Sequence, residues 1–80
     1  MLYQVHHNPQ ITKNIIKAFI EIHRRRVYHA DVRVENILVR PDNSVVIIDF
    51  EMSEMDADQE LLDAEMEEVK SLCACLERSC

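Results

Sequence analysis

Asp31, Asn36 and Asp49 are the side chains of this sequence whose types and spacing best fit chemistry at a metal ion. Carboxylate and amide oxygens are the ligands that Mg²⁺ prefers in proteins, with its remaining positions left to water and phosphate oxygens. A further carboxylate beside such an ion can accept a proton from a hydroxyl group. The three residues therefore predict a magnesium site with a proton acceptor next to it.

A predicted β-hairpin positions two of these side chains. Residues 37–40 and 45–48 are strand-like runs rich in β-branched residues, and residues 41–44 are typical turn formers. A four-residue turn at 41–44 would place Asn36 directly opposite Asp49. Opposed residues of an antiparallel pair have Cβ atoms roughly 4.5–5.5 Å apart and share a face. The register thus predicts two oxygen ligands at the open end of the hairpin, with Asp31 approaching on the preceding loop.

The sequences of these segments resemble those of protein kinases. Residues 29–36 read HADVRVEN and are followed by ILV, which is similar to the kinase catalytic loop H-x-D-x-x-x-x-N and its trailing strand. Residues 49–51 read DFE and resemble the D-F-G metal motif with its glycine replaced. The resemblance covers roughly residues 11–76, and the motif sequences are similar to those of fungal-type protein-kinase-like proteins. It extends more distantly to aminoglycoside and choline phosphotransferases.

The resemblance implies a role for each matching residue, with ATP and Mg²⁺ as cofactors. Asp31 would orient or deprotonate the acceptor hydroxyl. Asn36 would hold one Mg²⁺, and Asp49 would hold the Mg²⁺ that bridges the ATP phosphates. Arg33 would neutralise charge on the transferred phosphoryl group, and His29 would be a scaffold residue that bonds backbone near the metal loop.

The sequence also departs from the kinase pattern. Ala30 stands where many protein kinases carry the arginine that docks a phosphorylated activation loop, and no A-P-E segment follows Glu51. The chain contains no glycine, and thus no Gly-rich loop, and it has neither the strand lysine for the α- and β-phosphates nor its partner glutamate. We therefore expect residues 1–80 to be a partial kinase-like domain without its N-lobe, inactive alone. The alternative is a non-catalytic pseudokinase remnant that binds a protein partner through the surface an N-lobe would cover.

Two amphipathic helices frame the hairpin in the predicted fold. The first starts at Asn8-Pro9 and ends near Arg26, and the second begins around residues 56–58. The predicted class is α+β, in the order helix, catalytic loop, β-hairpin, helix, equivalent to the central part of a kinase C-terminal lobe. Residues 1–8 are expected to be flexible. The predicted core positions of the two helices are Ile11, Ile15, Phe19, Ile22, Leu62, Met66, Val69, Cys73 and Leu76.

Composition and charge exclude several classes of function. Hydrophobic residues make up 48% and charged residues 30%, which is the composition of a globular chain. The net charge of −6 divides into +3 up to Ile48 and −9 from Asp49 onward, which disfavours a nucleic-acid partner. Apolar runs reach about four residues, far below the ~20 that span a bilayer. An odd count of three cysteines without a signal peptide favours an intracellular, cytoplasmic setting.

Other conspicuous residues have plain structural interpretations. His6-His7 and His23 are expected in surface or capping roles rather than in a metal site. Cys73 and Cys75 do not have zinc-site spacing, and we expect Cys73 in the core and Cys75 exposed. The acidic run 54–68 is expected to be a solvated helix face, with a partner surface as its alternative.

Overall fold

The computed structural model describes residues 3–4 and 8–78. It confirms an α+β fold of two helices and an antiparallel hairpin. In chain order the elements are β1 (Tyr3–Gln4), α1 (Pro9–Arg24), a 3₁₀ turn (Val34–Asn36), β2 (Ile37–Val39), β3 (Val45–Ile47) and α2 (Gln59–Arg78). None of the described helices is long and apolar enough to cross a membrane.

Helix α1 begins and packs as its sequence predicts. The Asn8 side chain caps it by accepting a hydrogen bond from the Gln10 backbone N–H at 2.8 Å, and Pro9 occupies the first turn. One face of the helix carries Ile11, Ile15 and Phe19, each at most 1% exposed. The helix ends at Arg24, close to the predicted end, and the chain turns directly into the loop that carries the candidate site.

The strands form one three-stranded antiparallel sheet in the order β1-β2-β3. Strand β1 pairs Tyr3 with Val39, a contact that the sequence did not predict, because residues 1–8 were expected to be flexible. Residues 1–2 and 5–7 of that segment lie outside the described part of the chain. The central strand β2 is buried at both ends, which fixes the loop before it against the core.

The predicted hairpin register is wrong by one residue. Val39 pairs with Val45 and Ile37 with Ile47, and the backbone N–H of Ile48 donates to the Asn36 carbonyl at 2.9 Å. Asn36 therefore lies opposite Ile48 and not opposite Asp49.

The turn explains this register. Arg40 N–H donates to Ser44 O at 2.8 Å, which leaves a loop of three residues, and Asn43 N–H donates to Arg40 O at 2.9 Å. Asn43 has a φ of 71°, the left-handed conformation that a three-residue hairpin loop uses at its last position. Asparagine tolerates this conformation better than most residues, so the tighter turn forms without glycine.

Helix α2 lies against α1 and contributes Val69 and Cys73 to the core. Its stripe residues Leu62, Val69 and Cys73 are buried, as predicted, while Met66 and Leu76 are half-buried against the same cluster. The central cluster consists of Ile11, Ile15, Phe19, Ile37, Val39, Val69 and Cys73. Because Ile37 and Val39 of β2 belong to this cluster, the hairpin that carries the candidate residues is anchored in the core.

Candidate functional site

Asp31 and Asn36 are in direct contact. The Asn36 side-chain amide Nδ2 donates to the backbone oxygen of Asp31 at 2.9 Å and to its carboxylate Oδ2 at 3.1 Å. Asn36 sits at the end of the 3₁₀ turn and is 6% exposed, whereas the Asp31 side chain is 27% exposed. The structure thus brings together the predicted proton acceptor and one predicted metal ligand, at the corner where the sequence placed them.

Arg33 also lies in this corner. Its Nε donates to Asp31 Oδ1 at 2.8 Å, while 60% of its side chain stays exposed. Both oxygens of the Asp31 carboxylate therefore have a protein donor, Arg33 on one side and Asn36 on the other. This pairing fixes the plane of the carboxylate and leaves its outer edge open to solvent.

Asp49 lies one residue beyond the strand pair that contains Asn36. Because Asp49 follows Ile48, which pairs with Asn36, its backbone remains at the open end of the hairpin. Asp49 has a φ of 63°, so the alternation of faces along β3 does not continue through it. Its exposed carboxylate forms no hydrogen bond or ion pair with the residues that the structure describes. Asp49 is available to a ligand.

His29 ties the incoming loop to the strand that ends at Asp49. The ring is fully buried; its Nδ1 accepts a hydrogen bond from Asp31 N–H at 3.2 Å, and its Nε2 lies 2.8 Å from the Ile48 carbonyl oxygen. Because Nδ1 accepts, Nε2 carries the hydrogen and donates to Ile48. The expected scaffold contact between His29 and backbone beside Asp49 is present.

Aromatic contacts reinforce this connection. The Phe50 ring packs edge to face on His29 with centroids 4.7 Å apart, and Phe19 from α1 contacts His29 from the core side at 6.0 Å. Such pairs stabilise by about 0.5–1.5 kcal/mol beyond their buried area. The residue after Asp49 is thus packed against the loop that carries Asp31.

Glu65 holds the loop from the other side, and sequence reasoning missed it. Its carboxylate is 1% exposed and accepts hydrogen bonds from the backbone N–H of His29 at 3.0 Å and of Ala30 at 2.8 Å. The His23 ring nitrogen Nε2 lies 2.7 Å from the same carboxylate. A buried carboxylate is tolerated because all these donors surround it. The prediction that the acidic run 54–68 is a solvated helix face is wrong for Glu65.

The signal that could have identified Glu65 is its place in the helical pattern. Glu65 lies three residues after Leu62 and four before Val69, on the buried stripe of α2. A charged residue on an apolar stripe needs a partner and is a candidate for a structural or functional role.

Strained backbone occurs at the site. Ala30 has a φ of 74° and Asp49 a φ of 63°, in a chain without glycine. The left-handed conformation costs roughly 1–2 kcal/mol for an ordinary residue, so surrounding contacts must enforce it. At Ala30 the hydrogen bond to Glu65 supplies part of this constraint.

Backbone hydrogen bonds connect the segment after Asp49 to the start of the loop that carries Asp31. Tyr28 and Glu54 exchange two backbone hydrogen bonds, each 2.9 Å long, and Ala57 N–H donates to the Arg26 carbonyl at 3.0 Å. Burial, followed by the nearby carboxylates of α2 and Glu54, raises the pKa of Tyr28 above its ordinary value. The acidic half of the chain therefore lies close to the start of the loop.

The remaining expectations concern histidines and cysteines. Cys73 is buried and Cys75 exposed, as predicted, and burial followed by the charge of Glu77 raises the pKa of the Cys73 thiol. His6-His7 lies outside the described residues. Within the described residues, no group of three or more His, Cys, Asp or Glu side chains is arranged to hold a metal ion.

Asn36 and Asp49 fit a magnesium ion by the chemistry of their donors. Asn36 directs its Nδ2 at Asp31, and no described residue donates to its Oδ1. No buried side-chain oxygen or nitrogen among the described residues lacks a partner, so this Oδ1 has solvent access. An open amide oxygen and an unpaired carboxylate are hard ligands of the kind that Mg²⁺ prefers.

Known proteins resemble parts of this chain. A bifunctional serine/threonine-protein kinase/NEDD4-like E3 ubiquitin-protein ligase of Dictyostelium discoideum is 39% identical over 44 residues, 55% of this chain and 2% of that protein. The hormonally up-regulated neu tumor-associated kinases of Mus musculus and Homo sapiens are each 39% identical over 41 residues, 51% of this chain and 6% of theirs. The chain thus spans only a few per cent of the length of these curated relatives. No solved structure matches it significantly.

The family model for the protein kinase domain matches residues 2–73. The match includes the loop with Asp31 and Asn36, the hairpin, and most of α2. It therefore extends over nearly the whole chain, and the chain belongs to the protein kinase domain family.

Proposed function

We propose that the chain forms the catalytic-loop and metal-loop part of a phosphotransferase that moves the γ-phosphoryl group of ATP to a hydroxyl group. The observation that carries this proposal is the double hydrogen bond from Asn36 Nδ2 to Asp31, at 2.9 and 3.1 Å. It fixes a proton acceptor beside a metal-ligand candidate. Phosphoryl transfer depends mainly on such positioning and on electrostatic stabilisation.

Asp31 would orient the acceptor hydroxyl and take up its hydrogen. Each carboxylate oxygen has about two acceptor sites, and Arg33 and Asn36 occupy one on each oxygen. A site therefore remains on the exposed edge for a hydroxyl group. Because two donors hold the carboxylate, it needs little reorganisation when the hydroxyl arrives.

Arg33 would neutralise negative charge on the group being transferred. Its guanidinium uses Nε for Asp31, and the side chain is 60% exposed, so other N–H donors face solvent next to the same carboxylate. A guanidinium can bind phosphate oxygens through two parallel hydrogen bonds.

Asn36 Oδ1 and the Asp49 carboxylate would hold Mg²⁺. When bound, this ion supplies positive charge that neutralises the phosphate oxygens of ATP. The backbone hydrogen bond from Ile48 N–H to the Asn36 carbonyl, 2.9 Å long, relates the backbone positions of these two residues. With no glycine in its 80 residues, the chain has no Gly-rich loop of its own, and we propose that a separate lobe binds the remaining parts of ATP.

A paramagnetic titration tests the metal site. Mn²⁺ accepts the same oxygen ligands as Mg²⁺ and broadens the NMR signals of nearby amides. We expect Mn²⁺ to broaden the amide signals of Asn36 and Asp49 more strongly than the signal of Val69 in the core. Mg²⁺ with ATP should compete with it.

A matched pair of variants makes this test specific. Asp49→Asn should abolish the broadening, whereas Glu51→Gln removes the same charge two residues away and should preserve it. Broadening that is equal in the two variants, or absent from the unmodified chain, would reject the proposed metal site.

A second candidate function is a non-catalytic module that binds a protein partner over the face an N-lobe would cover. The supporting observation is a set of exposed apolar side chains in the loops around the site, namely Val34, Phe50, Met52 and Met55. Clustered exposed apolar groups often mark an interface. The nucleotide-binding lobe of a protein kinase, added as a separate polypeptide, is a suitable probe.

Calorimetry with that lobe tests the second candidate. An interaction module should bind it when Asp31 and Asp49 are both changed to asparagine, and should lose binding when Phe50 and Met52 are changed to serine. Absence of binding by the unmodified chain would count against the module.

A further inference from the structure

Asn14 lies in the second turn of α1, outside the loops that carry the candidate site. Its side-chain Nδ2 donates a hydrogen bond to the backbone carbonyl oxygen of Asn43, in the hairpin turn, across 2.7 Å. We infer that Asn14 is a positioning residue, which fixes the length of this turn and through it the register of β3 on β2. As a statement about the metal ligands at the open end of the hairpin this inference rests on the proposed function; as a statement about register it does not.

The side chains of the two strands do not specify their register. Residues 45–48 read Val-Val-Ile-Ile, and the observed register pairs Val39 with Val45 and places an isoleucine opposite Ile37. A shift by one residue would pair Val39 with Val46 and would again place an isoleucine opposite Ile37. Such a shift is normally disfavoured because it moves the apolar side chains of a strand to the wrong face of the sheet. In this hairpin it exchanges valine for valine and isoleucine for isoleucine.

Strand β3 is the strand that could shift. It lies at the edge of the sheet, with β2 as its one neighbour in the described part of the chain, whereas β2 is central and is buried at both ends. The residues of β3 are each only half-buried. The register therefore depends on contacts at the two ends of the hairpin, which are the turn and the bond from His29 to the Ile48 carbonyl.

The turn has a conformation that needs support from its surroundings. Residues 41–43 form the loop, and the last of them, Asn43, has a left-handed φ of 71°. This conformation is unfavourable for a residue with a side chain, although less so for asparagine than for most others. In the alternative loop of four residues, 41–44, Asn43 would no longer be the last loop residue and its carbonyl would leave its present position. The hydrogen bond from Asn14 therefore favours the shorter loop.

The Asn14 amide is held so that its donor faces the turn. Its Oδ1 accepts a hydrogen bond from Gln10 Nε2 at 3.2 Å, which leaves Nδ2 for the Asn43 carbonyl. Helix α1 is anchored in the core by Ile11 and Ile15, which are both fully buried. Asn14 thus connects the turn to a helix whose position is fixed by packing.

The register decides how the two proposed metal ligands lie relative to each other. In the observed register Asn36 lies opposite Ile48, and Asp49 follows one residue later. The loop of four residues would place Asp49 directly opposite Asn36 and would carry the Ile48 carbonyl away from His29 Nε2. Asn14 is thereby linked to the placement of Asp49, although it contacts the opposite end of the hairpin.

Cross-strand NMR contacts measure the register directly. Val39 belongs to a pair that exchanges no ladder hydrogen bond, and the Cα atoms of such a pair are only about 4.5 Å apart. The Hα of Val39 therefore gives a strong cross-peak with the Hα of the residue opposite it. The observed register predicts this cross-peak with Val45, and the shifted register predicts it with Val46. The ratio of the second intensity to the first reports the population of the shifted register.

Three variants of the full chain test the role of Asn14. Asn14→Ala removes the donor. Lys13→Ala introduces the same residue at the exposed neighbouring position and controls for the change to α1. The double variant Asn14→Ala/Asn43→Gly tests rescue, because glycine adopts the left-handed conformation without steric cost and so favours the three-residue loop by itself. A purely structural role of Asn14 within α1 would not be rescued by a change in the turn.

We expect Asn14→Ala to raise the intensity ratio roughly two- to tenfold, the range by which one hydrogen bond shifts an equilibrium. Lys13→Ala should leave the ratio unchanged, and the double variant should return it to the value of the unmodified chain. The inference is overturned if Asn14→Ala does not raise the ratio, if Lys13→Ala raises it equally, or if Asn43→Gly does not restore it. No metal or nucleotide is needed, so failure of the Mn²⁺ titration would not affect this result.

A measurement on the unmodified chain covers the case in which Asn14→Ala does not fold. Amide hydrogens that are held in a persistent hydrogen bond exchange with solvent more slowly than free ones. The inference requires the side-chain amide hydrogens of Asn14 to exchange more slowly than those of free asparagine, and exchange at the rate of the free amino acid would overturn it.

Discussion

His29 Nε2 donates a hydrogen bond to the carbonyl oxygen of Ile48 across 2.8 Å, which joins the loop of one candidate residue to the strand of another. The two residues are 19 positions apart in sequence. Through this bond and the contact of Phe50 with the same ring, the buried His29 side chain connects the segments that carry Asp31 and Asp49.

Replacing His29 by phenylalanine should destabilise the fold. An aromatic ring is retained, but the Ile48 carbonyl and the Asp31 N–H lose their partners, and a buried polar group without a partner costs about 1–3 kcal/mol. We expect a loss of about 3 kcal/mol in the free energy of unfolding, measured by urea titration. Phe50→Leu, which removes a ring contact but no hydrogen bond, should lose less than about 1.5 kcal/mol. Equal effects of the two changes would contradict this account.

Ala30→Gly should stabilise the protein. Ala30 has a left-handed φ of 74°, which glycine adopts without steric cost, although glycine loses more entropy on folding. The expected net gain is about 0.5–1 kcal/mol. Ala64→Gly, at an exposed position within α2, is the matched control and should cost about 1 kcal/mol. Thermal unfolding of both variants checks the prediction, which fails if the two substitutions shift the melting temperature in the same direction.

Glu65→Gln should be far more damaging than the same substitution elsewhere on α2. The glutamine amide offers one accepting oxygen to three donors and turns an NH₂ group towards at least one of them. We expect a loss of about 3 kcal/mol in the free energy of unfolding. Glu68→Gln, on the exposed face, should stay within about 0.5 kcal/mol of the unmodified chain. A solvated role for Glu65 would be indicated if the two variants unfolded at the same urea concentration.

Cys73 should make stability fall at alkaline pH. Its pKa is raised in the folded chain, first by burial and then by Glu77, so the fold favours the neutral thiol. This contribution is complete below the unfolded pKa of about 8.5 and is lost as pH rises through the folded pKa. The stability difference between the unmodified chain and Cys73→Ala should therefore be constant below about pH 8.5 and narrow as the pH rises from there into the alkaline range. A constant difference across that range, in urea titrations at each pH, would exclude this linkage.

The helices and the existence of the hairpin could be predicted because they depend on local pattern. The spacing of Ile11, Ile15 and Phe19 defines a helical stripe, and Asn8 marks its start; both are as predicted. The length of the turn could not be predicted in the same way. It depends on the left-handed conformation of Asn43, and a single residue of turn length moves every cross-strand partner by one.

The candidate site was only partly predictable for a related reason. Asp31 and Asn36 are five residues apart and meet through local geometry, so spacing was sufficient to place them together. Glu65 binds the loop at Ala30, which lies 35 positions earlier in the sequence. Because Glu65 lies within an acidic run, the sequence pattern groups it with the exposed acidic residues. Contacts between residues so far apart in sequence depend on how α2 packs, and no local sequence pattern specifies that packing.

The position of Glu65 late in the chain has a consequence for biosynthesis. A nascent polypeptide that has emerged only as far as the hairpin already contains Asp31, Asn36 and Asp49, but not the carboxylate that binds the amides of residues 29 and 30. The loop of residues 29–36 therefore lacks this contact until α2 has been translated and has packed against α1. Truncation of the chain before Glu65 would therefore remove the contact that holds this loop, although Asp31, Asn36 and Asp49 would all still be present.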